Sequence, residues 1–222
     1  MVKFGNFLFH YRNILFPVFY AALFIPSAPM MNFEWALGIG ALIILSGILI
    51  RCITIGLVYI VRGGLKRNIH AQDLVTDGIY QICRNPMYLG NILLLLGFGI
   101  FANSLLFLPL FFPIFCLFYY AIIKAEEDFL INKFGNQYIR YKESTNALIP
   151  NLTRINDAFA GRSLNYSTII KKEYNSLALY FTGIIGLLYY KSLISLKAFF
   201  ISAVILAIFY LIIRTLKKNK KL

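Results

Sequence analysis

From Met87 to Ile123 the chain is a long apolar run with one polar break, Ala102-Asn103-Ser104. About 20 helical residues cross a ~30 Å hydrocarbon core, so the run is too long for one span and reads as two. The break supplies a tight turn, which predicts a helical hairpin whose two helices are antiparallel neighbours. Further apolar stretches near 14–30, 35–60, 175–191 and 195–213 bring the expected total to about six spans. The expected fold is an all-α, polytopic transmembrane helical bundle. A chain that is 59% hydrophobic and 14% charged has the composition of such a protein.

Orientation follows from the cations, which are retained on the cytoplasmic side of a membrane. With the amino terminus inside, 19 of the 22 Lys and Arg residues fall on inner segments. Both termini are therefore expected in the cytoplasm, and a bacterial source would make the membrane the inner one. The net charge of +13 is dispersed among acids and beside spans, which favours anionic head groups of the lipid bilayer over nucleic acid as the partner. Pro29 after Pro26-Ser27-Ala28 spoils a signal-cleavage pattern, so the first span reads as an anchor. Cys52, Cys83 and Cys116 are far apart and His10 and His70 are single, so no metal site is expected.

Two inner segments are long enough to hold chemistry. In the first, 62–86, Gly63-Gly64 ends the second span and Asp77-Gly78 marks a turn. The second, 124–174, continues the fourth span without a Gly or Pro as far as Gly135, so that helix is expected to project toward the cytoplasm. A short amphipathic helix over 136–144 and a polar, loop-like stretch over 150–173 follow. The chain thus divides into a core, 1–150, a connector, 151–174, and an additional helix pair with a basic tail, 175–222.

On the projecting helix, Ile122, Glu126, Leu130 and Phe134 share one face, which places a carboxylate on the buried stripe. Glu126 and Glu127 are either a solvated patch paired with Lys124 or Lys133, or a receptor for a cationic ligand where water is scarce. Arg51 lies deep in the second span with no acid in another span to pair with. It either snorkels to the head groups or receives an anion through its planar guanidinium. In "CRNPMYLGN" (83–91), Asn85 is a good N-cap and Pro86 suits the first helical turn, so a span starts there with N–H groups free for an anionic ligand. These features together suit a small ligand with one anionic and one cationic end, such as an amino acid moiety.

The segments "LVTDGIYQICRNPMYLGN" (74–91) and "EEDFLINKFGNQYIRYKEST" (126–145) resemble the membrane methyltransferases that include isoprenylcysteine carboxyl methyltransferase and phosphatidylethanolamine N-methyltransferase. Gly78, Tyr80, Arg84, Pro86, Tyr88 and Gly90 match the first family motif. Glu126, Glu127 and Leu130 match the second, and Phe134, Gly135, Tyr138 and Tyr141 the third. The resemblance implies a cytoplasmic-facing site for S-adenosylmethionine, formed by Tyr80, Arg84, Asn85, Pro86, Tyr88, Gly90, Glu126, Glu127, Leu130, Tyr138 and Tyr141. It implies a small-molecule or lipidic methyl acceptor, with its polar head near Arg51 as the catalytic residue. Asn85 stands where the family usually has His. Two other classes stay open: a nicotinamide-dependent membrane reductase of related architecture, for which no GxGxxG turn is present, and a non-catalytic protein with a degenerate site. The role of the last two spans and the oligomeric state are open.

Overall fold

A computed structural model describes residues 1–59 and 67–219. Its helices are α1 (Val2–Ala22), α2 (Phe33–Leu57), α3 (Pro86–Phe101), α4 (Phe112–Phe134), α5 (Asn136–Ser144), α6 (Ile155–Phe159), α7 (Tyr166–Tyr190) and α8 (Leu196–Lys218). Short helical turns at Gly78–Gln81, Phe107–Phe111 and Leu152–Arg154 complete the pattern. The all-α expectation is met. Among the described residues, three helices are long and apolar enough to cross a membrane: Phe33–Leu57, Phe107–Phe134 and Leu196–Lys218. The expected six are not reached on those grounds, because α3 has 16 residues, about 24 Å, and α1 carries Lys3 and Arg12, and α7 Lys171, Lys172 and Glu173, in their amino-terminal halves.

Two boundaries differ from the sequence reading. The first helix starts at Val2, runs through Pro17 and ends at Ala22, before the Pro26-Ser27-Ala28-Pro29 stretch, whose two prolines disfavour a further helical turn. The stretch 150–173, expected to be loop-like, contains α6 and the first two turns of α7. The start of α7 is capped by Asn165, whose side chain accepts the Thr168 N–H at 2.8 Å. The expected end of the second span at Gly63-Gly64 lies outside the described residues.

The helices associate as two antiparallel pairs. On α2 and α3, Gly40 faces Gly97 and Gly47 faces Gly90, each pair two turns from the next. A Cβ on Gly47 would lie 2.8 Å from the Gly90 carbonyl oxygen, so the backbones touch where no side chain intervenes. The second pair is α1 with α4, where Gly5 lies against the Ala121 carbonyl and the rings of Phe16 and Phe19 pack on Phe115. The hairpin between α3 and α4 is present, and buried Asn103 fixes its turn by accepting the Met30 and Met31 N–H groups at 2.9 and 3.1 Å. Its arms, however, each find their main partner elsewhere, α3 on α2 and α4 on α1, with little contact between them. They splay instead of packing as close neighbours, and a cavity fills the gap.

α7 closes the other side, turning Glu173, Tyr180 and Leu187 inward at intervals of seven. α8 packs mainly on α7 and, among the described residues, buries none of its own.

Candidate active site

The cavity between the splayed helices has a volume of about 1020 Å³. Of the residues singled out in the sequence, Arg51, Tyr80, Arg84, Asn85, Pro86, Tyr88, Glu126, Glu127, Leu130, Tyr138 and Tyr141 all line it. Gly90 does not. It is the α2–α3 contact, where a Cβ would come within 2.6 Å of Arg51 Cγ.

The end of the cavity formed by α3, α4 and α5 is a polar cradle. α4 runs unbroken to Phe134 and ends at Gly135, whose φ of +53° lets the chain reverse into α5 at no steric cost. That reversal brings Tyr138 and Tyr141 back against the turn at 78–85. Tyr141 donates its hydroxyl to the Tyr80 carbonyl at 2.7 Å. Burial pushes the Tyr138 hydroxyl up to about 12 and the Tyr141 hydroxyl further, so both stay protonated.

Arg84 holds the cradle together. Its Nη1 donates to the carbonyls of Lys142 and Thr145, and its Nη2 meets Glu127 Oε1 at 2.6 Å. Its Nε is a buried polar atom with no hydrogen-bond partner among the described residues. Glu127, buried, also meets Lys124 at 3.1 Å and Lys142 at 3.0 Å, so three cations surround one carboxylate. The expected pairing with Lys124 is present for Glu127, but the carboxylate is buried and not a solvated patch, and Lys133 turns to the Ala71 carbonyl. Glu126, one step round the helix on the cavity wall, accepts the hydroxyl of Tyr88. The two adjacent carboxylates thus have different work, Glu127 within the scaffold and Glu126 at the cavity.

Asn85 occupies the N-cap position of α3, but its side chain does not cap. The carboxamide donates to the Ala147 carbonyl at 3.0 Å and ties down the segment after α5. Tyr88 and Leu89 donate to the Asn85 carbonyl and Pro86 has no N–H, so the helix start offers fewer donors to an anion than its sequence suggested.

Arg51 neither snorkels nor stands alone. Its Nε and Nη2 both meet Glu173 Oε1, the first at 2.6 Å, while Nη1 donates to Asn91 and Nη2 reaches Ser176 Oγ at 3.4 Å. Arg51 and Glu173 are 5% and 1% exposed, so this is a buried ion pair between α2 and α7. The expectation that Arg51 has no partner acid in another span leaves out Glu173, which lies in α7 just before the expected span 175–191. Glu173 ends the polar stretch 150–173, which reads as loop in the sequence. Asn165 followed by Thr168 is a capping pattern that places Glu173 two turns into a helix. Asn91 in turn donates to the Tyr119 hydroxyl at 2.6 Å, on the cavity wall. Arg12, His70 and Asp73 also line the cavity and carry no sequence motif that marks them.

Comparison with known proteins bears on this site. Residues 35–137 match the family model described as phospholipid methyltransferase. A cobalt-zinc-cadmium resistance protein of Cupriavidus metallidurans is 37% identical over 90 residues, 40% of this chain and 39% of that protein. The protein-S-isoprenylcysteine O-methyltransferase of Schizosaccharomyces pombe is 34% identical over 77 residues, 35% of this chain and 33% of the relative. The enzyme of the same name from Dictyostelium discoideum is 29% identical over 147 residues, 58% and 54% respectively. The matched regions thus cover from a third to about half of each relative's length. No solved structure gives a significant match.

Proposed function

We propose that this chain belongs to the membrane methyltransferase family that includes the isoprenylcysteine and phospholipid methyltransferases, binds S-adenosylmethionine in the Arg84–Glu126 cradle and methylates a small or lipid-like acceptor at the cytoplasmic membrane face. The orphaned Arg84 Nε carries this reading. A buried N–H without an acceptor costs about 1–3 kcal/mol, and a ligand carboxylate would remove that cost. The other groups fit the same molecule: the Glu126 carboxylate suits its ammonium, and the rings of Tyr88 and Tyr138 suit its adenine or its sulfonium.

When bound, the cofactor supplies an electrophilic methyl group. The protein's part is to align and to exclude water. Glu127, neutralised by Arg84, Lys124 and Lys142, ties α4 to α5 and holds Arg84 in the cradle wall. Tyr88 orients Glu126. Arg51, fixed by Glu173, holds Asn91 and through it the Tyr119 hydroxyl toward the acceptor. Its charge is already balanced by Glu173, so Arg51 acts here as a positioning residue for the acceptor half of the cavity and not as a bare anion receptor.

The test is transfer of tritium from methyl-labelled S-adenosylmethionine by the purified protein in nanodiscs of the host's lipids supplemented with host lipid extract. Label in the organic phase, lost in Glu126→Gln, is expected. No transfer by folded protein that also fails to bind S-adenosylhomocysteine would overturn the proposal.

A further inference from the structure

Most of the cations around the cavity are already balanced. Arg51 is paired with Glu173, and Arg84, Lys124 and Lys142 converge on Glu127. Arg12 of α1 differs. It lines the cavity, yet among the described residues its side chain forms no ion pair or hydrogen bond, and the cavity-lining acids Asp73 and Glu126 leave it unpaired.

A ring holds Arg12 in place. Its guanidinium lies over Phe9, with Cζ 4.1 Å from the ring centroid. Phe9 precedes Arg12 by three residues and helical side chains lean toward the amino terminus, so the stack forms within one turn of α1. Phe9 is itself 5% exposed and packed with Leu8, Ala121 and Ile122, which fixes the ring. A guanidinium stacked by one face keeps its N–H donors in its own plane, where two of them can grip an oxyanion by parallel bonds.

The position of this cation matches the line between cofactor and acceptor. Ile122 lies one turn of α4 from Glu126 and one from Tyr119, and both of those residues are on the cavity wall. The charge of Arg12 acts on both, and on Tyr88. Arg12 thus stands between the cradle and the Asn91–Tyr119 end of the cavity. A half-buried guanidinium with no carboxylate of its own gains most from a ligand that brings negative charge. α1 lies outside residues 35–137, the segment that matches the family model, so no family motif gives Arg12 this place.

We infer that Arg12 is the anion-binding residue of the acceptor half of the cavity: it holds a carboxylate or phosphate group at the reacting end of the acceptor, and so selects acceptors that carry one. This rests on the methyltransferase reading for calling the ligand an acceptor, while the anion site does not.

The experiment uses the full chain in nanodiscs of zwitterionic lipid, with hexadecanoic acid bearing a diazirine beside its carboxylate as the photolabel. Label is expected on α1 or α4 near Arg12 and Tyr119, competed at least tenfold better by hexadecyl phosphate than by hexadecan-1-ol, which has the same chain and no charge. Competition by inorganic phosphate as well would mark a small acceptor and its failure to compete a lipid-like one; both support the site. Arg12→Gln should lower the labelling at least tenfold and abolish the preference for phosphate over alcohol, with the melting temperature unchanged and S-adenosylhomocysteine binding within about threefold of the parent. Arg12→Lys, which keeps the charge without the planar fork, should fall between. Phosphate and alcohol competing equally in the unchanged protein, or the preference surviving in Arg12→Gln, would overturn the inference. Loss of S-adenosylhomocysteine binding in folded Arg12→Gln would place Arg12 in the cofactor site and overturn it too. Charge-selective labelling that depends on Arg12, in a protein that does not bind S-adenosylhomocysteine, would instead sink the methyltransferase reading and leave the anion site intact.

Discussion

Replacing Glu173 with Gln removes the charge that balances Arg51 and leaves a guanidinium buried at 5% exposure. Breaking one side of a buried ion pair costs about 3–5 kcal/mol, because the remaining ion keeps its desolvation penalty. Asn91 and Ser176 stay as neutral acceptors for two of the donors, which places the loss at the lower end, about 3 kcal/mol. For a chain of this size each kcal/mol moves the melting temperature by about 2–4 °C, so a drop of about 6–12 °C is expected in thermal unfolding followed by circular dichroism. Arg51→Met removes the cation that Glu173 meets and should also lower the melting temperature. The double variant Arg51→Met with Glu173→Leu removes both ions and should recover most of the loss, since apolar replacements of a whole pair are often neutral or better. A Glu173→Gln melting temperature within 2 °C of the parent, or a double variant worse than both singles together, would refute the pairing as a determinant of how α7 docks.

Glu127→Gln should destabilise the α4–α5 junction and weaken S-adenosylhomocysteine binding only indirectly. Hydrogen exchange is expected to rise over 136–146, because Arg84, Lys124 and Lys142 lose their common partner; unchanged exchange there would count against that role. Asn85→His should retain cofactor binding within about threefold if the imidazole can replace the carboxamide's bond to Ala147, whereas Asn85→Ala should loosen the 145–148 segment, read by limited proteolysis. Cys83, buried beside the carbonyls of Ala147 and Leu148, has its thiol pushed up to about 11 by burial. Its thiolate is scarce at pH 8, so maleimide should leave it unmodified in the folded protein there and label it increasingly as the pH approaches 11. Mass spectrometry showing rapid labelling at pH 8 would contradict its burial.

The site was legible in the sequence where chemistry and local rules coincide. Asn85-Pro86 announced a helix start, Gly135 a helix end, and the face shared by Ile122, Glu126 and Leu130 put a carboxylate on a buried stripe. What did not show was partnership across the bundle. Arg51 and Glu173 are separated by most of the chain, and neither residue's neighbours name the other. The α3–α4 hairpin was legible from Asn103, but its splay depends on Gly40, Gly47, Gly90 and Gly97 drawing α3 to α2. Gly90 illustrates the limit: its place in a motif suggested contact with the cofactor, while its lack of a side chain serves helix contact. The different duties of Glu126 and Glu127 likewise required knowing where Lys142 lands after the turn at Gly135.

Calorimetric titration of the purified protein with S-adenosylhomocysteine, beside a nicotinamide dinucleotide control, tests the cradle most directly. Saturable binding of the first alone is expected, weakened at least tenfold in Glu126→Gln and clearly less in Tyr88→Phe, which retains Glu126 but not its orienting hydroxyl. Folded protein that does not bind S-adenosylhomocysteine, or binds it unchanged in Glu126→Gln, would contradict the assignment of Glu126 and the cradle as the cofactor site.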